Sequence, residues 1–368
     1  MRDENEALER VVDGRSWSEF CDGLKAAGAV VLGAGAPDDP LTRAEGWRYL
    51  TRLTRAALET FVEASDPMAP ELRRTAHETI KMGMDNPDNI YLSAPIHGGF
   101  RYRVWGTRGS VHYLGFGTQK GSYGGTGTLE TTGYLDARDM TIGPDGRFEI
   151  QVSVERQPGN WLPMEPDSRM LIVRQTRGDH ASETPGEVSI ERIDGPNRPR
   201  PLEPARIDRA LAGAIRFVSG CAGIFKSWAE DFRKHPNQLP RFDPERARIA
   251  GGDPHIAYYH SYWQLAPDEA LLIEATPPEC DYWNFQLANY WLESLDYRYF
   301  PVHLNSKTAR LRADGSVRVV VAHRDPGVEN WLDPCGHTFG TMCWRWIGAT
   351  DPPTPQVRVA KLGEIPRE

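Results

Sequence analysis

Gly143-Pro-Asp-Gly146 followed by Arg156-Gln-Pro-Gly159-Asn160-Trp161-Leu162 returns later as Arg312-Ala-Asp-Gly315 followed by Arg324-Asp-Pro-Gly327-Val-Glu-Asn330-Trp331-Leu332. A second echo precedes it in each case: His112-Tyr113-Leu-Gly-Phe116-Gly117-Thr118 and Asp281-Tyr282-Trp-Asn-Phe285-Gln286-Leu287. The step from Tyr113 to Tyr282 is 169 residues, and so is the step from Asp145 to Asp314. One offset joining two separate echoes predicts an internally duplicated domain. Residues 100–178 and 265–347 should share a fold, with Phe116 answering to Phe285 and Trp161 to Trp331. In each turn Pro and Gly reverse the chain, Asn can bond nearby backbone, and Trp is expected to be buried as a fold-defining corner. Duplication also supplies two similar walls that can enclose a site.

Outward from the repeats, the pattern is one of short strands with helical additions. A capping box, Ser16 with Glu19, predicts a helix from Ser16. Trp47, Leu50, Leu53, Thr54, Leu58, Phe61 and Val62 recur at three-and-four spacing and predict an amphipathic helix across 40–65. Near Asn86-Pro-Asp-Asn89 the period changes to two: Phe100, Tyr102 and Val104 alternate with Arg101, Arg103 and Trp105. A Pro-rich linker, 195–201, ends this region. Ile207, Leu211, Ile215, Val218, Ala222, Phe225 and Trp228 then mark a long helix. Strand patterning resumes near His255, and a last strand is expected at 356–361. The fold class expected is mainly β with helical additions: duplicated antiparallel β-sandwich halves, an N-terminal helical segment and a helix linking the halves. The boundaries read from these shifts are 1–85 for the helical segment, 86–200 for the first sandwich, 201–250 for the linking helix and 251–368 for the second sandwich.

Composition limits the partners. The 368 residues carry a formal net charge of −8 and no dense Lys/Arg run, which argues against nucleic acid. No apolar stretch reaches membrane-spanning length, and the charged first residues lack a signal-peptide pattern. Five scattered cysteines without a CxxC pair fit reduced thiols. The expectation is a soluble cytoplasmic protein with no nucleic-acid or membrane partner.

Pro277-Pro-Glu-Cys-Asp-Tyr-Trp-Asn-Phe-Gln-Leu287, Leu304-Asn305, Ala313-Asp-Gly315 and His323 to Leu332, in that order, resemble the domain-of-unknown-function family DUF1214. The first half resembles a divergent copy placed as the DUF1254 module is in longer relatives. The resemblance implies a β-sandwich-type fold with helical additions and carries no catalytic residue with it. The first copy ends Asn160-Trp-Leu-Pro163, whereas the second has Asn330-Trp-Leu-Asp333.

Candidate site residues come from strand faces. In 281–291, alternation puts Trp283, Phe285, Leu287 and Trp291 on a core face, and Tyr282, Asn284, Gln286 and Tyr290 on the other. That second row is neutral and hydrogen-bonding, suited to hydroxyl or carbonyl groups of a ligand or, equally, to a solvated or buried polar ladder. In 256–263, Tyr258, His260 and Tyr262 share a face. His260 could serve as a general base, with Tyr262 or Tyr290 as the acid, and Tyr258 could contact the ligand. Arg324 and Asp325 form a polar cluster beside the second turn that could hold a carboxylate or an enolate-like oxygen. The remaining histidines are too scattered to indicate a metal site, so no metal and no cofactor is expected. The Gly-rich 121–127 segment lacks P-loop context and reads as a hairpin loop, with a lid as the functional alternative. The function expected is binding, and as an enzyme cofactor-free acid/base transformation (lyase, isomerase or hydrolase type), of a small lipophilic molecule bearing hydroxyl or carbonyl groups. The alternatives are a non-catalytic small-molecule or saccharide-binding module, and a structural homo-oligomer.

Overall fold

The computed structural model describes residues 3–366. Six helices occur among them: α1 (Glu4–Val12), α2 (Arg15–Ala27), α3 (Ala29–Leu32), α4 (Pro40–Ala57), α5 (Pro204–Phe232) and α6 (Pro244–Ile249). The first half contributes strands β1 (Arg73–Ala76), β2 (Asn89–Pro95), β3 (Tyr102–Thr107), β4 (Tyr113–Ser122), β5 (Thr128–Asp136), β6 (Arg147–Ser153), β7 (Trp161–Pro163), β8 (Met170–Thr176) and β9 (Val188–Arg192). The second contributes β10 (Ile256–Gln264), β11 (Glu269–Ala275), β12 (Tyr282–Ala288), β13 (His303–Asn305), β14 (Val317–Ala322), β15 (Trp331–Leu332), β16 (Phe339–Ile347) and β17 (Gln356–Lys361).

The strand orders carry the duplication. One sheet of the first half runs β1-β2-β8-β4-β5 and the matching sheet of the second runs β10-β16-β12-β13. The other sheets run β7-β6-β3-β9 and β15-β14-β11-β17. Element by element these are the same sheets, and only β1 lacks a counterpart. Pairing is antiparallel except where the short β7 and β15 join parallel to β6 and β14. Phe116 and Phe285 both sit in the cores between their sheets, Phe116 opposite Val173 and Phe285 opposite Trp344.

The repeated turn is a corner held by asparagine. Asn160 Nδ2 donates to the carbonyls of Thr141 and Glu149, each at 2.9 Å, and its Oδ1 accepts from Thr141 N–H at 2.8 Å. Asn330 does the same with Arg310 and Arg318, at 2.8 and 2.9 Å, and with Arg310 N–H at 2.8 Å. Gly159 and Gly327, at φ 74° and 73°, supply the left-handed step before each corner. The expectation of buried tryptophans is corrected here: Trp161 and Trp331 are only partly buried, although each indole N–H donates inward, to Ser153 Oγ at 3.1 Å and Ala322 O at 2.9 Å.

The helices form a third packed body with α5 at its centre. Leu211, Val218, Ala222 and Phe225 of α5 share a core with Phe20 of α2 and with Tyr49 and Leu53 of α4. Ser16 is not the cap of α2. Gly14, at φ 83°, precedes the helix, and Ser16 is buried and donates instead to Asp208 of α5 at 2.6 Å. Of the stripe expected across 40–65, Leu53 is fully buried and Leu50, Leu58, Phe61 and Val62 pack partly buried against the helical core, whereas Trp47 is 42% exposed and Tyr49, Ala56 and Ala57 widen the buried face. Asp39 caps α4 by accepting from Thr42 N–H at 2.9 Å, and a π-helical turn, Leu58–Glu63, ends it.

Candidate functional site

The sheets β1-β2-β8-β4-β5 and β10-β16-β12-β13 each bury one face in their own sandwich and turn the other toward the opposite half. Register makes the two outward faces equivalent. Tyr91 stands opposite Arg174, and Tyr258 stands opposite Arg345. Each half also sends the loop preceding its first equivalent strand across to the other half. Arg345 Nη2 donates to the carbonyl of Met84 at 2.5 Å, and Arg174 Nη2 to that of Gly251 at 2.7 Å. The Asn86 N–H donates to the Tyr91 hydroxyl and the Asp253 N–H to the Tyr258 hydroxyl, both at 3.1 Å. Met84 and Gly251 lie in the left-handed region, φ 62° and 79°. Glycine accepts that backbone freely and methionine does not, so the Met84 loop needs its outside partners, Arg345 and Leu292, whose carbonyl receives Met84 N–H at 2.8 Å. The result is a reciprocal clasp.

Between the clasped faces and the helices lies a cavity of about 640 Å³. Its walls come from both halves: Tyr91, Ser93, Ile172 and Arg174 from the first, Tyr258, His260 and Arg345 from the second, with Phe61, Phe217, Phe225 and Trp228 from the helical body. Arg73, Arg74, Arg169 and Glu59 also line it. The 121–127 hairpin tip, between β4 and β5, forms wall rather than a detached lid. Tyr123 donates from its hydroxyl to Ala250 O at 2.6 Å, and Gly124 meets α5 so closely that a Cβ would come within 2.1 Å of Arg216 O.

His260 is buried among rings. It stacks on Phe232 at 5.3 Å and Tyr258 at 5.6 Å, and meets Phe242 edge-on at 5.1 Å. Burial, reinforced by the Arg345 charge, lowers its pKa to about 3, so the ring is neutral at physiological pH. Cys343 Sγ lies 4.0 Å from Nε2, while Nδ1 has no hydrogen-bond partner. Arg174 and Arg345 are buried guanidiniums that bond carbonyl and amide oxygens and have no ion-pair partner among the described residues.

The structure redistributes the residues singled out from sequence. Tyr258 and His260 line the cavity. Tyr282, Asn284 and Gln286 share a face, but the 85–88 segment covers them: Asn284 donates to Asn86 Oδ1 and Gln286 to Asp85 O, both at 2.8 Å, and Tyr282 donates to Asp88. Their hydrogen bonds are met by protein, and none of the three lines the cavity. Tyr290 follows the end of β12 and buries in the helical core with Trp291, its hydroxyl 3.4 Å from Gly35 O. Tyr262 is in the same core, stacked on Phe339 at 5.9 Å. Neither tyrosine lines the cavity beside His260, and burial raises the pKa of both, that of Tyr290 to about 12. Arg324 and Asp325 are exposed on the turn after β14, where Asp325 Oδ1 caps Gly327 N–H at 2.8 Å, and they take no part in the cavity. Arg174, Arg345, Tyr91 and Ser93 were missed. The available signal was an arginine inside an apolar strand in both copies, Met170-Leu-Ile-Val-Arg174 and Met342-Cys-Trp-Arg345.

A solved structure of an uncharacterised protein from Burkholderia cenocepacia is similar over nearly the whole chain. The two are 50% identical, the match covers 97% of this chain and 100% of that one, and the TM-score is 0.95. This chain belongs to the same family. The Burkholderia relative therefore shares its duplicated fold. The VPA0106 protein from Vibrio parahaemolyticus is similar at 12% identity and a TM-score of 0.50, covering 86% of this chain and 98% of that one, which speaks to fold alone. No protein-family model and no curated protein matches the chain. No helix among the described residues is long and apolar enough to cross a membrane.

Proposed function

We propose that the chain is a non-catalytic binding protein whose inter-sheet cavity takes a small lipophilic molecule bearing a carbonyl or hydroxyl oxygen. The observation that carries this reading is the pairing of a largely aromatic and aliphatic cavity with two buried guanidiniums at its wall, Arg174 and Arg345, beside the neutral ring of His260. A ligand oxygen accepting from either guanidinium would gain a charge-assisted hydrogen bond, worth about 1.5–3 kcal/mol. Binding is favoured over transformation because neither tyrosine expected as the acid faces His260 across the cavity, and a ring with pKa about 3 is a weak base. The motif order across 277–332 supports placing the second half with DUF1214, and five free cysteines support a reducing, cytoplasmic setting.

Calorimetric titration with 1-decanol, 2-undecanone, decanoic acid and decane tests the reading. The oxygenated probes should bind and decane should bind more weakly. Ile172→Phe, which fills the cavity, should weaken all of them while circular dichroism stays native. Absence of binding by every probe, or equal binding by Ile172→Phe, would overturn the proposal.

A further inference from the structure

Outside the cavity, three potential metal ligands distant in sequence meet at the junction of the halves. Asp88 lies in the loop before β2, His180 follows β8, and His303 opens β13 of the second half. Both imidazole Nε2 atoms lie 3.1 Å from the same oxygen, Asp88 Oδ1, and the three ligand atoms all fall within 4.8 Å of one another. Donors about 2.1 Å from a metal ion are about 3.0 Å apart at right angles and about 3.4 Å apart at the tetrahedral angle, so these two contacts, which are hydrogen bonds without an ion, fall close to the edge of a coordination polyhedron.

The carboxylate is held as ligating carboxylates are. Its side chain is fully buried, its second oxygen accepts from the Tyr282 hydroxyl, its N–H donates to Asn86 Oδ1 at 3.0 Å, and its carbonyl accepts from Arg177 N–H at 2.9 Å. His180 is 37% exposed and gives the cluster a route to solvent, while His303 is 17% exposed.

We propose that Asp88, His180 and His303 form a binding site for a divalent transition-metal ion of the zinc, cobalt or iron(II) class, clamping the two halves together. Two imidazoles and one carboxylate suit borderline divalent ions rather than calcium or magnesium. Three protein donors leave the remaining positions to water or a small anion entering past His180. The clamp joins two loops of the first half to β13 of the second through side chains alone, so metal held by all three ligands adds to the stability of the joined state.

The test uses full-length protein stripped with EDTA and dialysed. Zn²⁺ titration by calorimetry should show about one ion per chain and a raised melting temperature, and Co²⁺ should give visible d–d absorption bands. His180→Ala, chosen because the side chain is partly exposed, should fold normally and bind Zn²⁺ about tenfold or more weaker, as should His303→Gln. His235→Ala, elsewhere on the surface, should bind as wild type. Failure of the wild-type protein to take up Zn²⁺ or Co²⁺ would overturn the proposal. So would uptake unchanged in both histidine variants, leaving a hydrogen-bonded His-Asp-His cluster in its place.

Discussion

A neutral imidazole stacked between Phe232 and Tyr258 makes His260 a source of acid sensitivity. Its folded pKa, about 3, lies below the ordinary 6.5, so the unfolded chain binds this proton first. Stability is then undiminished above about pH 6.5 and falls as pH drops toward 3, by up to about 1.4 kcal/mol per pH unit from this group. His337, whose pKa Glu45 holds above 6.5 against the opposing effect of burial, works in the other sense. Urea unfolding at pH 7 and pH 5 should therefore show a smaller loss for His260→Phe than for the wild type; an equal loss would mean the ring is not desolvated. At this scale the sequence was half legible. Alternation placed Tyr282, Asn284 and Gln286 on one face correctly, because the period of a strand is local. It could not show that residues 84–88, some two hundred positions earlier in the chain, lie across that face and satisfy it. Tyr290 and Trp291 were assigned by the same alternation past Ala288, where the strand stops and Leu292 turns at φ 57°.

The corner and the clasp are the elements that make each half and then join them. Asn330 makes three hydrogen bonds with backbone at its corner, so Asn330→Ala should destabilise by about 1–3 kcal/mol in equilibrium unfolding, more than Trp331→Phe, whose ring is partly exposed. The clasp is a separate device. Arg345→Met removes the donor from Met84 O and leaves a left-handed methionine with less support, and should cost about 1.5–3 kcal/mol, the range for a charged hydrogen bond. Arg174→Met should cost less, because glycine holds the equivalent turn without strain and because Arg345 alone also donates to Gln286 Oε1, at 2.6 Å. Met84→Gly, which relieves the left-handed position, should narrow that difference; an unchanged difference would mean that Met84 adds no strain. The repeat was readable because both corners use the same residue types in the same order, at offsets of 168 to 170 residues. The clasp was not, since Met84 and Gly251 share no side chain, only a backbone conformation. The helix start at Ser16 was misread because the residue's hydroxyl serves a tertiary contact with Asp208 that the capping pattern imitates.

At the scale of the molecule, each repeat completes its partner's outward face, and the cavity exists only where both are in place. Halves that exchange loops and share the α5 core should unfold as one unit, in contrast to two independent sandwiches on a linker. A cavity enclosed in this way links ligand binding to the joining of the halves, so a ligand should stabilise the whole. Differential scanning calorimetry of the full chain, with and without excess decanoic acid, reads both consequences at once. A single transition is expected, with calorimetric and van't Hoff enthalpies in agreement, moved to higher temperature by the ligand. Two resolved transitions, or a single one that decanoic acid leaves in place, would contradict this expectation.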